Sequence, residues 1–216
     1  MRIADIFDRF RRPAGPRPVL RFAAHTPLER LPIVVIDSET TGLDPRRDRI
    51  VSIAAIAIEP GLVVGRPLLD LLIDPRITIP PRSTAVHGID GARLAGAPTL
   101  PEAWPEISSA LAGRLMVGHH LRFDLAMLAA EARRARRPWR EPPHLDTAAL
   151  SAGLGVAVDG LDLTDILAKL GLEARGTRHT ALGDALMTAD LFVALARRLR
   201  GLGRATFSGA IASQRL

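Results

Sequence analysis

The stretch that most constrains this chain is Ile33-Val34-Val35-Ile36, followed at once by Asp37-Ser38-Glu39. Four successive β-branched residues suggest a strand covered on both faces, and Gly42, Asp44 and Pro45 then supply turn chemistry. Alternation along a strand aims Asp37 and Glu39 at the same side. Two carboxylates side by side at the edge of an apolar core repel each other and favour protonation unless a cation is present. A hard divalent ion such as Mg²⁺ or Mn²⁺, which prefers oxygen donors, resolves that conflict. An Asp-x-Glu pair that only begins a polar turn would look the same, so the pair needs support from elsewhere in the chain.

The surrounding pattern predicts further strands over 49–59 and 68–73, with connections short enough for antiparallel hairpins. Beyond Pro98 the texture becomes helical. Thr99 with Glu102 forms a capping-box pattern for a helix to about Ala112. Short strands are expected at 115–118 and 144–147, and helices at 123–136, 162–171 and 181–200. This order defines an α/β domain with a mixed sheet and helices packed against it. The folded unit is expected to span 32–200. Residues 1–31 read as a basic amphipathic segment and a Pro/Gly linker, and 201–216 as a patternless C-terminal tail. Ile3, Ile6, Phe7 and Phe10 share helical spacing, with Arg2, Arg9, Arg11 and Arg12 around them. That segment is either a short helix docked on the domain or a basic anchor for a partner or a membrane surface.

Among the 216 residues, 47% are hydrophobic and 24% charged, the range of an ordinary globular chain with a sizeable core. With no cysteine, thiolate metal sites and disulfides are excluded, and a cytoplasmic location is the simplest expectation. No apolar run approaches the roughly 18 residues that span a bilayer, and the N-terminus lacks the apolar core of a secretory signal. The formal net charge of +6 is compatible with nucleic-acid binding. Lys169 is the single lysine, however, and a composition so rich in Ala, Arg, Gly, Pro and Leu weakens that inference.

Two further segments carry acids. Gly118-His119-His120-Leu121-Arg122-Phe123-Asp124 sets a carboxylate at the start of a helix, and His179-Thr180-Ala181-Leu182-Gly183-Asp184 opens the last long one. Each alone is an ordinary helix start. Together with Asp37-Ser38-Glu39-Thr40-Thr41-Gly42 they resemble the motifs of the DEDDh branch of the DnaQ-like 3′–5′ exonucleases, whose members include the proofreading epsilon subunit of bacterial DNA polymerase III. The resemblance covers roughly 33–198, with the motifs in family order. Val86-His87-Gly88-Ile89 is similar to a further family segment, as is Asp146-Thr147. Agreement by chance at so many ordered positions is far rarer than for any one motif.

The resemblance implies a ribonuclease H-like fold with a central mixed five-stranded sheet. It also implies that Asp37, Glu39, Asp124 and Asp184 bind two divalent ions, Mg²⁺ or Mn²⁺, at which a polynucleotide end is hydrolysed. His179 is then the expected general base. Thr40, Thr41 and Leu43 would receive the terminal nucleotide, with His87 and Phe123 lining the same pocket. For Leu43 and Phe123, core packing is the competing expectation. Arg46, Arg47 and Arg49 are candidates for phosphate contacts. His119, His120 and His144 are read as bystanders. Ser38 and His120 stand where the family often has threonine and asparagine, which bears on substrate preference rather than on activity.

The implied partners are a single-stranded 3′ end of DNA or RNA and a DNA polymerase subunit. Three readings compete: a DNA exonuclease in proofreading or repair, an exoribonuclease or oligoribonuclease-like enzyme, and an inactive nucleic-acid or polymerase binding module. The complete acid set with His179 argues against the last. Oligomeric state is left open by the motifs.

Overall fold

The computed structural model describes residues 22–156 and 161–215. The amphipathic segment expected at 1–12 lies outside them. Three strands, β1 (Ile33–Thr40), β2 (Ile50–Glu59) and β3 (Val63–Leu72), form an antiparallel meander. On the other side of β1, β4 (Leu115–Gly118) and then β5 (His144–Asp146) join in parallel, which gives the order β3-β2-β1-β4-β5. This mixed five-stranded sheet with helices on both faces is the ribonuclease H-like arrangement expected from the motifs.

β3 begins five residues earlier than the expected Leu68. Gly61 and Leu62, both with positive φ, reverse the chain after β2, and Leu62 carries no turn signal in its side chain. Pro67 also argues against a strand, but β3 is an edge strand, where a missing N–H leaves no partner unsatisfied.

The helices are α1 (Pro81–His87), α2 (Leu100–Leu111), α3 (Arg122–Arg134), α4 (Thr147–Gly153), α5 (Leu163–Lys169), α6 (Ala181–Gly201) and α7 (Phe207–Ser213). The capping box at α2 forms as expected, with Glu102 accepting from the Thr99 backbone N–H at 2.7 Å. β1 divides its side chains between two cores by parity. Ile33 and Val35 pack with Leu191, Phe192 and Leu195 of α6, whereas Val34 and Ile36 pack with Trp104 and Ile107 of α2 and Leu128 of α3. The central strands are therefore buried on both faces, which is why they read as continuous apolar runs.

Both expected flanks fold differently at their inner ends. Leu28 and Leu31, which the sequence pattern places in the linker, are buried in the core around a 3₁₀ turn at Leu28–Arg30. The tail beyond 201 forms α7, capped by Thr206, whose hydroxyl accepts from the Gly209 N–H at 3.2 Å. Phe207 is buried edge-to-face against Phe22, with centroids 5.8 Å apart. α7 also meets α4 so closely that a Cβ on Gly153 would sit 1.7 Å from the Ser213 carbonyl oxygen. A seven-residue helix of mostly small side chains is too short to show periodicity, so it escapes the sequence pattern.

Phe207→Ala should therefore cost about 3–5 kcal/mol of stability, read as a lowered urea midpoint. An unchanged midpoint would contradict the docking of α7.

Candidate active site

The parity of β1 continues beyond the apolar run. Asp37 and Glu39 follow Ile33 and Val35 to the α6 side, and Ser38 follows Val34 and Ile36 to the α3 side. The first turn of α6 supplies Asp184, and carboxylate oxygens of Asp37, Glu39 and Asp184 lie within 4.8 Å of one another. Asp124, in the first turn of α3, approaches from the other side, where it accepts a 2.6 Å hydrogen bond from the Ser38 hydroxyl. The strand end is thus flanked by acids in the first turns of two helices, where the helix dipole offsets part of the carboxylate repulsion. In the sequence Ser38 stands out only as a departure from threonine. It provides the hydroxyl that fastens Asp124 to β1.

The electrostatics match a cluster built for cations. Burial first, and then the charges of Asp124, Asp184 and Glu39, push the Asp37 carboxyl well above its ordinary range. Glu39 is raised to about 7 by burial and by Asp184 and Asp124. Asp124 is raised to about 7, chiefly by burial, against the opposing Ser38 hydrogen bond. The donor set is all oxygen, partly desolvated and short of positive charge, which fits hard divalent ions rather than soft ones.

His179 sits one residue beyond Arg178 on the loop leading into α6. Its side chain is exposed, its φ is 59°, and its backbone N–H donates to Asp184 Oδ2 at 3.1 Å. Arg178 Nη1 donates to Asp184 Oδ1 at 2.5 Å. The positive charge of Arg178 favours ionised Asp37 and Glu39, but burial and the neighbouring carboxylates outweigh it. Sequence reasoning missed Arg178, although its adjacency to His179 was a visible signal. Gly183 lets this loop lie on the helix: a Cβ there would fall 2.0 Å from the Thr177 carbonyl oxygen.

The residues expected at the nucleotide end divide. Leu43 projects from the β1–β2 turn, 48% exposed, so core packing does not account for it. Thr41 is buried, and its hydroxyl donates to Asp48 while accepting from the Arg49 N–H. Its carbonyl accepts from Ser83 of α1. Thr40 turns its hydroxyl to the Gly42 carbonyl at 2.7 Å. Phe123 is buried in the α2–α3 core. His87 is buried at the end of α1, and its Nδ1 accepts from the Ile89 N–H. Its Nε2 is buried without a hydrogen-bond partner among the described residues. Burial lowers the His87 pKa.

Arg46 and Arg47 are exposed, but Arg49 is spent elsewhere. It forms a two-pronged pair with Glu131, at 2.7 and 3.1 Å, and Glu131 is almost wholly buried. Arg134 joins the same carboxylate and donates to the Pro45 and Asp48 carbonyls at 2.7 and 3.0 Å. The turn bearing Leu43 is thereby clamped to α3, the helix that carries Asp124.

The remaining histidines stay outside the acid cluster. His144 faces the Pro142 carbonyl and Glu141. His119 lies 3.0 Å from the Thr147 hydroxyl. That hydroxyl gives its one proton to the Gly118 carbonyl, so the imidazole donates from Nδ1. Burial and the neighbouring His120 depress His119 to about 3, which keeps it neutral. Asp146 accepts from the His120 N–H and caps α4, and Gln214 accepts from its backbone N–H.

A mixed sheet of this order, with acids gathered where its central strand ends between two helix N-termini, is a ribonuclease H-like domain with a candidate metal-binding acid cluster. The family described as Exonuclease (RNase_T) matches residues 34–192, and the chain belongs to it. It is 39% identical over 194 residues to a DNA polymerase III subunit epsilon-like protein of Rhodobacter capsulatus. That match covers 89% of this chain and 27% of the relative, so the chain spans about a quarter of that protein. The DNA polymerase III subunit epsilon of Aquifex aeolicus is 30% identical, with 77% of this chain and 81% of that protein covered. Among solved structures, E. coli Exonuclease I with a dT13 oligonucleotide superposes with a TM-score of 0.67 at 20% identity, covering 81% of this chain and 43% of that one. Exonuclease X in complex with 5′ overhanging duplex DNA gives 0.62 at 23% identity, covering 84% and 99%. At those identities the superpositions establish the fold.

Two outcomes test this geometry. A raised carboxylate pKa means that the folded protein holds its proton more tightly than the unfolded chain. The resulting penalty is absent below the unfolded value of about 4.5 and complete above about 7. With chelator present, Glu39→Gln should therefore melt roughly 2–4 °C above the wild type at pH 8 and no higher near pH 4. No gain at pH 8 would contradict the repulsion. Gly183→Ala should displace the Arg178–His179 loop and lower turnover about 100-fold; unchanged turnover would show that the close approach is dispensable.

Proposed function

We propose that the chain is a two-metal-ion 3′–5′ exonuclease that releases nucleoside monophosphates from the 3′ end of DNA, in proofreading or repair. The observation carrying this reading is the convergence of Asp37, Glu39 and Asp184, with Asp124 beside them, under the loop that bears His179. Asp37, Glu39, Asp124 and Asp184 would hold two divalent ions, Mg²⁺ or Mn²⁺, which neutralise phosphate charge and make a water more acidic.

The chain's own residues supply the rest. His179 takes a proton from the attacking water through its exposed imidazole. The loop fixes its backbone by the N–H bond to Asp184, so base and ligand are positioned together. Leu43, presented by a turn clamped to α3, lies against the terminal base. Thr40 offers backbone groups to the 3′-hydroxyl, with His87 behind it and Phe123 under the same pocket. Thr41 acts by closing the turn rather than by touching the nucleotide. The catalytic unit on this reading runs from Leu28 through α7.

Preference for DNA is supported by the names of the relatives, which include subunits of DNA polymerase III. The same names support association with a polymerase subunit; a cytoplasmic location belongs to the same proposal. No helix among the described residues is long and apolar enough to cross a membrane.

One Mn²⁺ assay with 5′-labelled single-stranded DNA, mispaired duplex DNA and matched RNA tests polarity and substrate together. Stepwise shortening of the DNA strands from the 3′ end is expected; shortening of the RNA alone would replace this reading with an exoribonuclease. Asp37→Ala and Asp184→Ala should abolish turnover while leaving the far-ultraviolet circular dichroism unchanged. His179→Ala should lose about 10²–10⁴ in rate but retain Mn²⁺ affinity. A parallel fall in Mn²⁺ affinity would make His179 a ligand rather than the base.

A further inference from the structure

Arg49 and Arg134, both partly buried, spend their planar forks on protein acceptors, as does the more exposed Arg175. Arg49 gives Nε and Nη2 to Glu131, Arg134 makes three bonds, and Arg175 gives Nε and Nη2 to Asp190. Arg178 differs. Its Nη1 donates to Asp184 Oδ1, and no other acceptor engages its guanidinium among the described residues. The side chain is 29% exposed and borders the carboxylate cluster, where its charge is felt by Asp37 and Glu39. A fork with most of its donors unspent, beside the groups that would hold the ions, is a ready acceptor site for a phosphate.

Charge balance points the same way. Two divalent ions neutralise the four carboxylates Asp37, Glu39, Asp124 and Asp184, but a released monophosphate brings a further charge of roughly −2. We propose that Arg178 is a phosphate-contacting residue of the exonuclease site: it shares Asp184 with the divalent ions and turns its free donors to the 5′-phosphate of the terminal nucleotide. The inference rests on the exonuclease reading above and adds a group that the acid motifs do not include. Its backbone is well placed for the task, because the packing of Gly176 against Gly183 pins the loop to the first turn of α6.

Arginine and the ions then make opposite demands on Asp184. Removing the guanidinium takes away a competitor for the carboxylate, so ion affinity does not fall. Affinity for the phosphate does fall. A residue that only supported Asp184 structurally would lower both.

The test uses the full chain with Arg178→Met and Arg178→Lys. Mn²⁺ affinity is measured by calorimetry without nucleotide, and inhibition by a nucleoside 5′-monophosphate is measured in saturating Mn²⁺ against the unphosphorylated nucleoside. Arg178→Met should bind Mn²⁺ as tightly as the wild type or a few-fold more tightly. Its inhibition constant for the monophosphate should rise about tenfold or more, with the nucleoside unaffected. Arg178→Lys, which keeps the charge but loses the fork, should show a smaller rise and carries the comparison if the methionine variant does not fold. Unchanged monophosphate inhibition, or Mn²⁺ affinity falling in step with it, would overturn the proposal. Absence of Mn²⁺-dependent hydrolysis in the unaltered chain would instead overturn the exonuclease reading beneath it.

Discussion

Everything in this site follows from carboxylates held close together where water is scarce. β1 enters from a core closed on both faces and ends in Asp37-Ser38-Glu39, so its alternation delivers two acids to one side and a hydroxyl to the other. The long helix α6 and the shorter α3 each point a first turn at that end and each add an aspartate. Repulsion at such spacing raises the carboxyl pKa values, and the sheet is too tightly packed for the strand to relieve it by moving. The fold therefore opposes its own site, as is common where function requires strain that the surrounding core must offset.

What surrounds the acids limits that cost and gives the site its shape. The Glu131 carboxylate, nearly inaccessible to water, is compensated by two guanidinium groups, which is the condition under which a buried charge is tolerated. Through Arg134 the same cluster grips two backbone carbonyls of the β1–β2 turn. The exposed Leu43 thus sits on a turn braced against the helix of Asp124, so the surface expected to meet a base and one expected ion ligand move as one body. On the opposite side, the loop carrying Arg178 and His179 is bonded to both oxygens of Asp184. The acids, His179 and the turn are mutually positioned by a handful of polar contacts.

Most of this was legible in the sequence where a single pattern decided the outcome. The apolar run at 33–36, the capping box at Thr99 and the ordered acidic motifs led directly to the central strand, to α2 and to the acid cluster. What escaped depended on partners far away in the chain. Arg49 reads as a free cation in a turn, because nothing local reveals that Glu131, 82 residues later, is waiting for it. Thr41 reads as a nucleotide contact because its motif is shared, whereas its burial is set by Asp48 and Ser83. Helix α7 reads as a tail because its stability comes from Phe22 and the backbone of α4 rather than from its own periodicity. Local propensity is a weak guide where tertiary packing provides the stabilisation.

The claim beneath all of this is that the clustered acids hold protons until divalent ions displace them. Calorimetric titration of Mn²⁺ at pH 6.5, repeated in buffers of different ionisation enthalpy, measures that exchange directly. The expected result is saturable binding with net proton release, declining toward zero above pH 8 as Glu39 and Asp124 ionise unaided. Binding at pH 6.5 with no proton release, or no saturable binding at all, would contradict it.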